Sequence, residues 1–267
     1  MLVVKLGGGA GIDHAALVAD VAALVARGER VILVHGTSRQ ANELGERLGH
    51  PPRFVQSPSG HTSRYTDRQT LDIFMMAAAG LVNTTLVEAL QAAGVDALGL
   101  TGLDGRLLVG QRKASIRVVE GGKPRVLRDD WTGTIERVNA ALLQSLLAAG
   151  YVPVVAPLAL SHAGEGLNVD GDRAAGAIAV ALAADVLVLL TNVPGLLHAF
   201  PDERSLVPRI ARDALDAWLP VAQGRMKKKL LGAGEALAGG VRRVVLADAR
   251  RDAPLAAALA GNGTVIE

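Results

Sequence analysis

Residues 2–9 read Leu-Val-Val-Lys-Leu-Gly-Gly-Gly, and residues 31–38 read Val-Ile-Leu-Val-His-Gly-Thr-Ser. Each is a short apolar β run that ends in glycine and leads into a stretch of helical spacing. A strand apolar on both faces belongs in a covered sheet, and a βα repeat lays successive strands parallel. Working outward, the same alternation recurs. Helical spacing covers 13–27, with Asp13 as N-cap, then 39–48, and 67–93 with a bend at Gly80. It returns over 135–149, ended by Gly150, then 172–184 and 226–238. Strands are expected at 97–101, 152–156, 186–191 and 243–246, with a last edge strand at 264–266. Residues 50–65 hold Pro51, Pro52 and Pro58 and read as a loop or irregular hairpin. Residues 107–127, broken at Gly121-Gly122, read as antiparallel hairpins that form a flap. The expected fold is α/β: a three-layer αβα sandwich on a mostly parallel sheet, as one domain with two lobes, about 1–160 and 161–267. No flexible linker marks that boundary.

Composition narrows the chemistry. Half of the 267 residues are hydrophobic but only 3% are aromatic, so the core is built from Ala, Val and Leu. The absence of cysteine excludes disulfides, thiolate metal sites and a cysteine nucleophile. The N-terminus reads as a strand rather than a signal peptide, and no run of about 18 apolar residues is found. A cytoplasmic protein with no membrane partner is therefore expected. The net charge is +2, yet Arg225, Lys227, Lys228, Lys229, Arg242 and Arg243 cluster. Without interleaved aromatics such a cluster does not suit nucleic acid. A solvated helix face is its ordinary meaning, and a basic rim for an acidic protein stays open.

The glycines carry more. Gly7, Gly8, Gly9 and Gly11 join a strand to a helix just after Lys5. Such a loop brings backbone N–H groups and a helix N-terminus up to an anion, although a tight turn without ligand has the same appearance. Neither the Walker spacing nor the dinucleotide spacing is present. The second strand ends at His35-Gly36, where a dinucleotide fold wants an acid for the ribose. His35-Gly36-Thr37-Ser38 is thus a second anion loop at the same end of the sheet. His35 itself reads as a packed, hydrogen-bonded side chain.

With Lys5-Leu6-Gly7-Gly8, Val34-His35-Gly36, Ser63-Arg64-Tyr65-Thr66-Asp67, Asn168-Val169-Asp170-Gly171-Asp172, Thr191-Asn192-Val193-Pro194-Gly195 and Gly224-Arg225-Met226-Lys227-Lys228-Lys229 in order along the whole chain, the sequence resembles the amino acid kinase family, in its acetylglutamate kinase branch. Gly49-His50-Pro51-Pro52-Arg53-Phe54, Gly102-Leu103-Asp104-Gly105-Arg106, Thr132-Gly133-Thr134, Val138-Asn139 and Asp170 make it most similar to the kinases of lysine biosynthesis. Those act on α-aminoadipate attached to an amino-group carrier protein, and some relatives act on carrier-linked glutamate for arginine. Two other readings stay open at this point: a kinase of free N-acetylglutamate, and a non-catalytic sensor of ATP or an amino acid.

The resemblance implies roles. Lys5 and Lys229 stabilise the transferred phosphoryl group, and Asp172 orients both. Gly7, Gly8, Gly36 and Thr37 line the phosphates, while Asn192 and Gly195 form the nucleotide side. Arg64 grips a substrate carboxylate and Asn168 the amide of the blocked amino group, beside Gly36 and Thr37. ATP with Mg2+ is the implied cofactor, with few protein ligands to the metal. A homodimer is implied, and Arg53, Arg106, Arg112 and Lys113 are candidates for a carrier-docking rim. The family usually has glycine where Thr37 stands. If that backbone needs positive φ, the cradle is impaired; if not, the hydroxyl is an added donor.

Overall fold

The computed structural model describes residues 1–9, 12, 14–58, 60 and 62–267. The expected N-cap Asp13 and the loop glycine Gly11 lie outside them. Strand β1 (Leu2–Leu6) leads to α1 (His14–Ala26), and β2 (Val31–His35) to α2 (Ser38–Arg47). A short hairpin, β3 (Phe54–Gln56) and β4 (Thr62–Arg64), precedes one long helix. That helix comprises α3 (Arg68–Met75), a π-helical segment (Met76–Asn83) and α4 (Thr84–Ala92). Then come β5 (Ala97–Thr101), β6 (Leu108–Arg112), β7 (Ser115–Glu120), β8 (Lys123–Arg128), β9 (Gly133–Val138) and α5 (Ala140–Ala148). The chain continues through β10 (Val152–Ala156), β11 (Leu158–Ser161), β12 (Gly166–Asn168), α6 (Gly171–Ala181) and β13 (Val186–Thr191). It ends with β14 (Arg209–Ile210), α7 (Leu215–Trp218), α8 (Arg225–Ala238), β15 (Arg243–Asp248), α9 (Pro254–Leu259) and β16 (Thr264–Ile266).

Eight strands form the central sheet in the order β14-β16-β15-β13-β1-β2-β10-β5. Its pairings are parallel except β15 with β16. Alternation along β1 divides the core as a period of two demands. Leu2, Val4 and Leu6 face a cluster with Leu17 and Val21 of α1, Leu86 and Leu90 of α4 and Leu255 of α9. Val3 faces the opposite cluster, with Leu143 of α5, Ile178 of α6 and Leu230 of α8. The three expected layers result. Helices α6 and α8 approach through Ala174, Ala175, Ala233 and Ala236, all buried. A Cβ on Gly176 would lie 3.9 Å from the Gly232 carbonyl oxygen. Small residues thus let the two helices come close.

Two further four-stranded sheets, β12-β11-β6-β9 and β4-β3-β7-β8, carry the flap region. The β7–β8 hairpin turns at Gly121-Gly122 as expected. Strand β6 differs: it pairs with β9 and β11 rather than β7. The helix expected over 135–149 is also corrected. Its first four residues belong to β9, and the helix starts at Ala140 because the Asn139 side chain accepts the Leu142 N–H at 3.2 Å. Nor is β16 an edge strand, since β14 pairs beyond it. The long helix, capped by Asp67 at the Thr70 N–H, runs through Gly80 within its π segment. It is long and apolar enough to cross a membrane by length and hydropathy alone. Here Leu71, Phe74, Ala77, Ala78, Leu86 and Leu90 pack it onto the protein core, while Met76 and Leu81 are half exposed.

The β6–β9 pairing leaves no room at Gly110, where a Cβ would meet the Thr134 carbonyl oxygen at 1.8 Å. Gly110→Ala should lower unfolding free energy by about 1–3 kcal/mol or more in urea titrations. Gly80→Ala, with nothing within 4 Å of the added Cβ, should be neutral or stabilising by up to about 1 kcal/mol.

Candidate active site

Parallel strands bring Lys5, His35 and Thr191 to the same end of the sheet, and the flanking helices add two charges there. Lys5 Nζ lies 2.8 Å from Asp172 Oδ1, and Lys229 Nζ donates to Asp172 Oδ2 at 2.8 Å. Lys5 and Lys229 are only 8% and 7% exposed. Burial alone would push the Asp172 carboxyl up, but the two ammonium groups overcome it and hold it well below the usual carboxylate range. Burial, and then Lys5, lower the Lys229 pKa against the pull of Asp172. Two cations around one carboxylate leave one buried positive charge unmatched, which is costly unless an anion arrives. Asp170 sets this geometry. Its Oδ1 caps α6 by accepting the Asp172 and Arg173 N–H groups at 2.9 and 3.1 Å.

The two glycine loops cross in contact. A Cβ on Gly8 would lie 2.5 Å from the Gly36 carbonyl carbon and the Thr37 nitrogen, and one on Gly36 would lie 2.4 Å from the Gly8 nitrogen. Gly7 N–H donates to Leu190 O at 3.0 Å, and Gly8 O accepts the Arg39 N–H at 3.1 Å. Gly36, expected to line the phosphates, offers no free donor there: its N–H donates to Leu6 O at 2.7 Å and is spent within the sheet. Among the described residues the Gly8 and Thr37 N–H groups have no acceptor, and they sit at the N-terminal end of α2. Thr37 has φ −134°, so no left-handed backbone is needed and threonine carries no strain. Its hydroxyl turns inward, 3.4 Å from His35 Nδ1. His35 is fully buried, as a packed residue should be, and its Nε2 is 3.1 Å from Asn83 Nδ2. Burial lowers its pKa to about 4, helped by His14 and Lys5 and opposed by a Gly36 backbone hydrogen bond.

The residues expected to hold the acceptor form a second group. Arg64 donates to Asn42 Oδ1 and to Ser38 O at 3.3 Å, with its guanidinium 5.2 Å from the Phe54 ring centroid. Asn168 Nδ2 donates to Thr66 Oγ1 at 3.1 Å, and Thr66 Oγ1 donates to Arg64 O at 3.4 Å. Beneath them lies Asp130, fully buried and absent from the site expected from sequence. It accepts the Thr66 and Thr132 N–H groups and the Thr132 hydroxyl, and burial raises its pKa. No local motif marks Asp130, because its partners come from two separate stretches. Arg112 is not a free rim cation. It stacks 3.5 Å from the Trp131 ring centroid, pairs with Asp129 and Glu165, and donates to Asp130 O. Arg53 pairs with Glu120, whereas Arg106 and Lys113 are exposed.

On the other side, Asn192 is exposed just past β13. The turn after it is pinned where Leu196 N–H donates to Thr264 Oγ1 at 2.8 Å. A Cβ on Gly195 would strike that oxygen at 2.5 Å. Lys228, expected as a solvated charge, donates from Nζ to Thr62 O at 3.0 Å, so α8 reaches the β3–β4 hairpin.

This geometry sets three expected outcomes. Asp172→Asn should cut turnover by roughly two to three orders of magnitude in a steady-state assay, because both lysines lose their counter-charge. Gly8→Ala should do the same, since its Cβ enters the Gly36–Thr37 backbone. The unfolded state protonates His35 near pH 6.5 and the native state only near pH 4. Stability should therefore fall by about 1.4 kcal/mol per unit as pH drops through that window and level off below it. Urea titrations at several pH values, compared with His35→Gln, isolate this slope.

The model of the amino acid kinase family matches residues 1–248. Over 266 residues the chain is 57% identical to the LysW-aminoadipate kinase of Deinococcus radiodurans, covering 100% of this chain and 91% of that one. It is 53% identical over 268 residues to the LysW-aminoadipate kinase of Thermus thermophilus, covering 100% of both. Among solved structures, N-acetylglutamate synthase from Neisseria gonorrhoeae complexed with coenzyme A and N-acetyl-glutamate matches with a TM-score of 0.80 and 27% identity. That match spans 99% of this chain and 58% of the synthase chain. A family match across nearly the whole length agrees with the three layers and the crossed glycine loops: the chain belongs to the amino acid kinase family.

Proposed function

We propose that this protein transfers the γ-phosphoryl group of ATP to the side-chain carboxylate of α-aminoadipate attached to an amino-group carrier protein, as a step of lysine biosynthesis. Carrier-linked glutamate, for arginine, is a second acceptor of the same kind. The observation that carries the reading is the buried Lys5–Asp172–Lys229 cluster, whose unmatched positive charge suits a phosphoryl group in transit. The substrate comes from the names of the two kinases above.

The acceptor carboxylate is already ionised, so it attacks phosphorus without a general base. Its oxygen forms the new P–O bond, the bond to the β,γ-bridging oxygen breaks, and ADP leaves with that electron pair. The products are an acyl phosphate and ADP. Catalysis then consists of positioning and charge neutralisation. Lys5 serves the transferred group and the bridging oxygen, Lys229 the ATP side, and the Gly8 and Thr37 N–H groups the phosphoryl oxygens. Arg64 takes a free carboxylate of the acceptor by a two-point contact, and Asn168 the amide of its blocked amino group.

Mg2+ would be held through the phosphates of bound ATP, where it would offset their charge; Asp172 is committed to its lysines and is not free to hold it. Residues 1–160 form the acceptor lobe, and 161–267, with Asn192 and Gly195, the ATP lobe. The exposed face of the long helix, with Met76 and Leu81, pairs two copies of the chain, and the enzyme works in the cytoplasm. Arg106 and Lys113 steer an acidic carrier to the cleft.

ADP release with ATP-magnesium, with hydroxylamine as trap for the acyl phosphate, should appear with carrier-linked aminoadipate and not with free N-acetylglutamate. The reverse pattern would sink the carrier reading, and ATP binding without turnover would favour a sensor. Arg106→Glu with Lys113→Glu should raise KM for the carrier several-fold and leave KM for ATP unchanged.

A further inference from the structure

Under the phosphate loops lies a buried polar group to which the phosphoryl-transfer scheme gives no part. Asn83 ends the π-helical segment Met76–Asn83 in the middle of the long helix and is 5% exposed. A π turn holds an extra residue and rotates the helix beyond it, and such turns recur at functional sites. Thr84 and Thr85 face outward, and their hydroxyls donate to Ala79 O at 3.2 Å and Leu81 O at 2.8 Å. Asn83 faces the sheet. Its Nδ2 donates to Val154 O at 2.9 Å, lies 3.1 Å from His35 Nε2 and has a longer contact to Leu100 O at 3.5 Å, so the two short contacts take its two hydrogens. Its Oδ1 occupies the space over Gly99, where a Cβ would lie 2.2 Å away.

A neutral imidazole has one acceptor nitrogen and one N–H. With Nε2 accepting from Asn83, the proton sits on Nδ1, which faces the Thr37 hydroxyl at 3.4 Å. The opposite tautomer would set an N–H against the Asn83 amide N–H. We infer that Asn83 is a positioning residue for phosphoryl transfer: by donating to His35 Nε2 it fixes the Nδ1–H tautomer, and that tautomer holds Gly36–Thr37 so that the Thr37 N–H points into the cradle beside Gly8. The long helix is thereby linked to the phosphate loop through two side chains.

The kinetic arms of the test rest on the kinase reading; the spectroscopic arm does not. In the unmodified protein, 15N NMR of the His35 ring should show a neutral Nδ1–H imidazole from pH 8 down to about 5. An Nε2–H tautomer, or a charged ring at pH 6, overturns the inference whether or not the protein is a kinase.

Asn83→Asp keeps the shape but replaces the donor with an anion, which draws a proton onto His35 Nε2. The other titratable groups facing His35 are Lys5 from β1 and His14 from α1. In the folded variant kcat should fall by about 10- to 100-fold. KM for ATP and for the acceptor should stay within two-fold, and a new ionisation should enter the kcat–pH profile. Thr37→Val should give a smaller loss of the same kind, and the double variant should lose less than the two losses combined. Unchanged kcat in folded Asn83→Asp, or a kcat loss matched by a rise in KM for ATP, overturns the inference. If Asn83→Asp does not fold, full kcat in Thr37→Val does so as well.

Discussion

Two ammonium groups around one buried carboxylate are the constraint on which the rest of the structure depends. Lys5, Asp172 and Lys229 come from three elements far apart in sequence, and none of them is stable in that position alone. A buried lysine without a partner loses its proton, and a buried carboxylate without a partner gains one. Together the two lysines hold Asp172 well below the usual carboxylate range, and two cationic side chains on one carboxylate suit an anionic ligand. The close approach of α6 and α8 through alanine and glycine keeps Asp172 within 2.8 Å of Lys229. The Asp170 cap then fixes the first turn from which Asp172 projects.

Around this cluster the main chain supplies what side chains cannot. Gly8 and Gly36 pass each other in contact, so neither tolerates a Cβ, yet their roles differ. Gly36 provides room, because its N–H is spent on Leu6; Gly8 provides room and an available N–H. The donor on the second loop is the N–H of Thr37, a residue whose extended-side φ makes glycine unnecessary there. Departure from the family pattern at Thr37 therefore brings no backbone strain into the loop.

The group around Arg64 and Asn168 is organised differently. Of its cations, Arg53 and Arg112 are engaged in ion pairs. Order there comes from Asp130, which ties Thr66 and Thr132 together and so places Asn168 and Arg64. A buried polar group with every partner satisfied rigidifies its surroundings. The crossed glycine loops and the Arg64–Asn168 group thus rest on separate buried networks, one under His35 and one under Thr66.

Much of the architecture was determined by the sequence itself, because it is written in local periodicity. Apolar β runs closed by glycine, alternating with helical spacing, specify a covered parallel sheet, and Lys5, Asp172 and Lys229 lie at element ends where motif order points. Strand β9 was hidden because Ile135–Val138 carries both helical and β spacing, and only pairing with β6 decided between them. The inner position of β16 depended on β14, a pairing of two residues too short to leave a pattern. Asn83, Asp130 and the engagement of Arg112 were decided by tertiary structure alone. Each has a distant partner, 71, 64 and 18 positions away respectively, and a hydrogen bond across such a separation leaves no periodic trace in the chain.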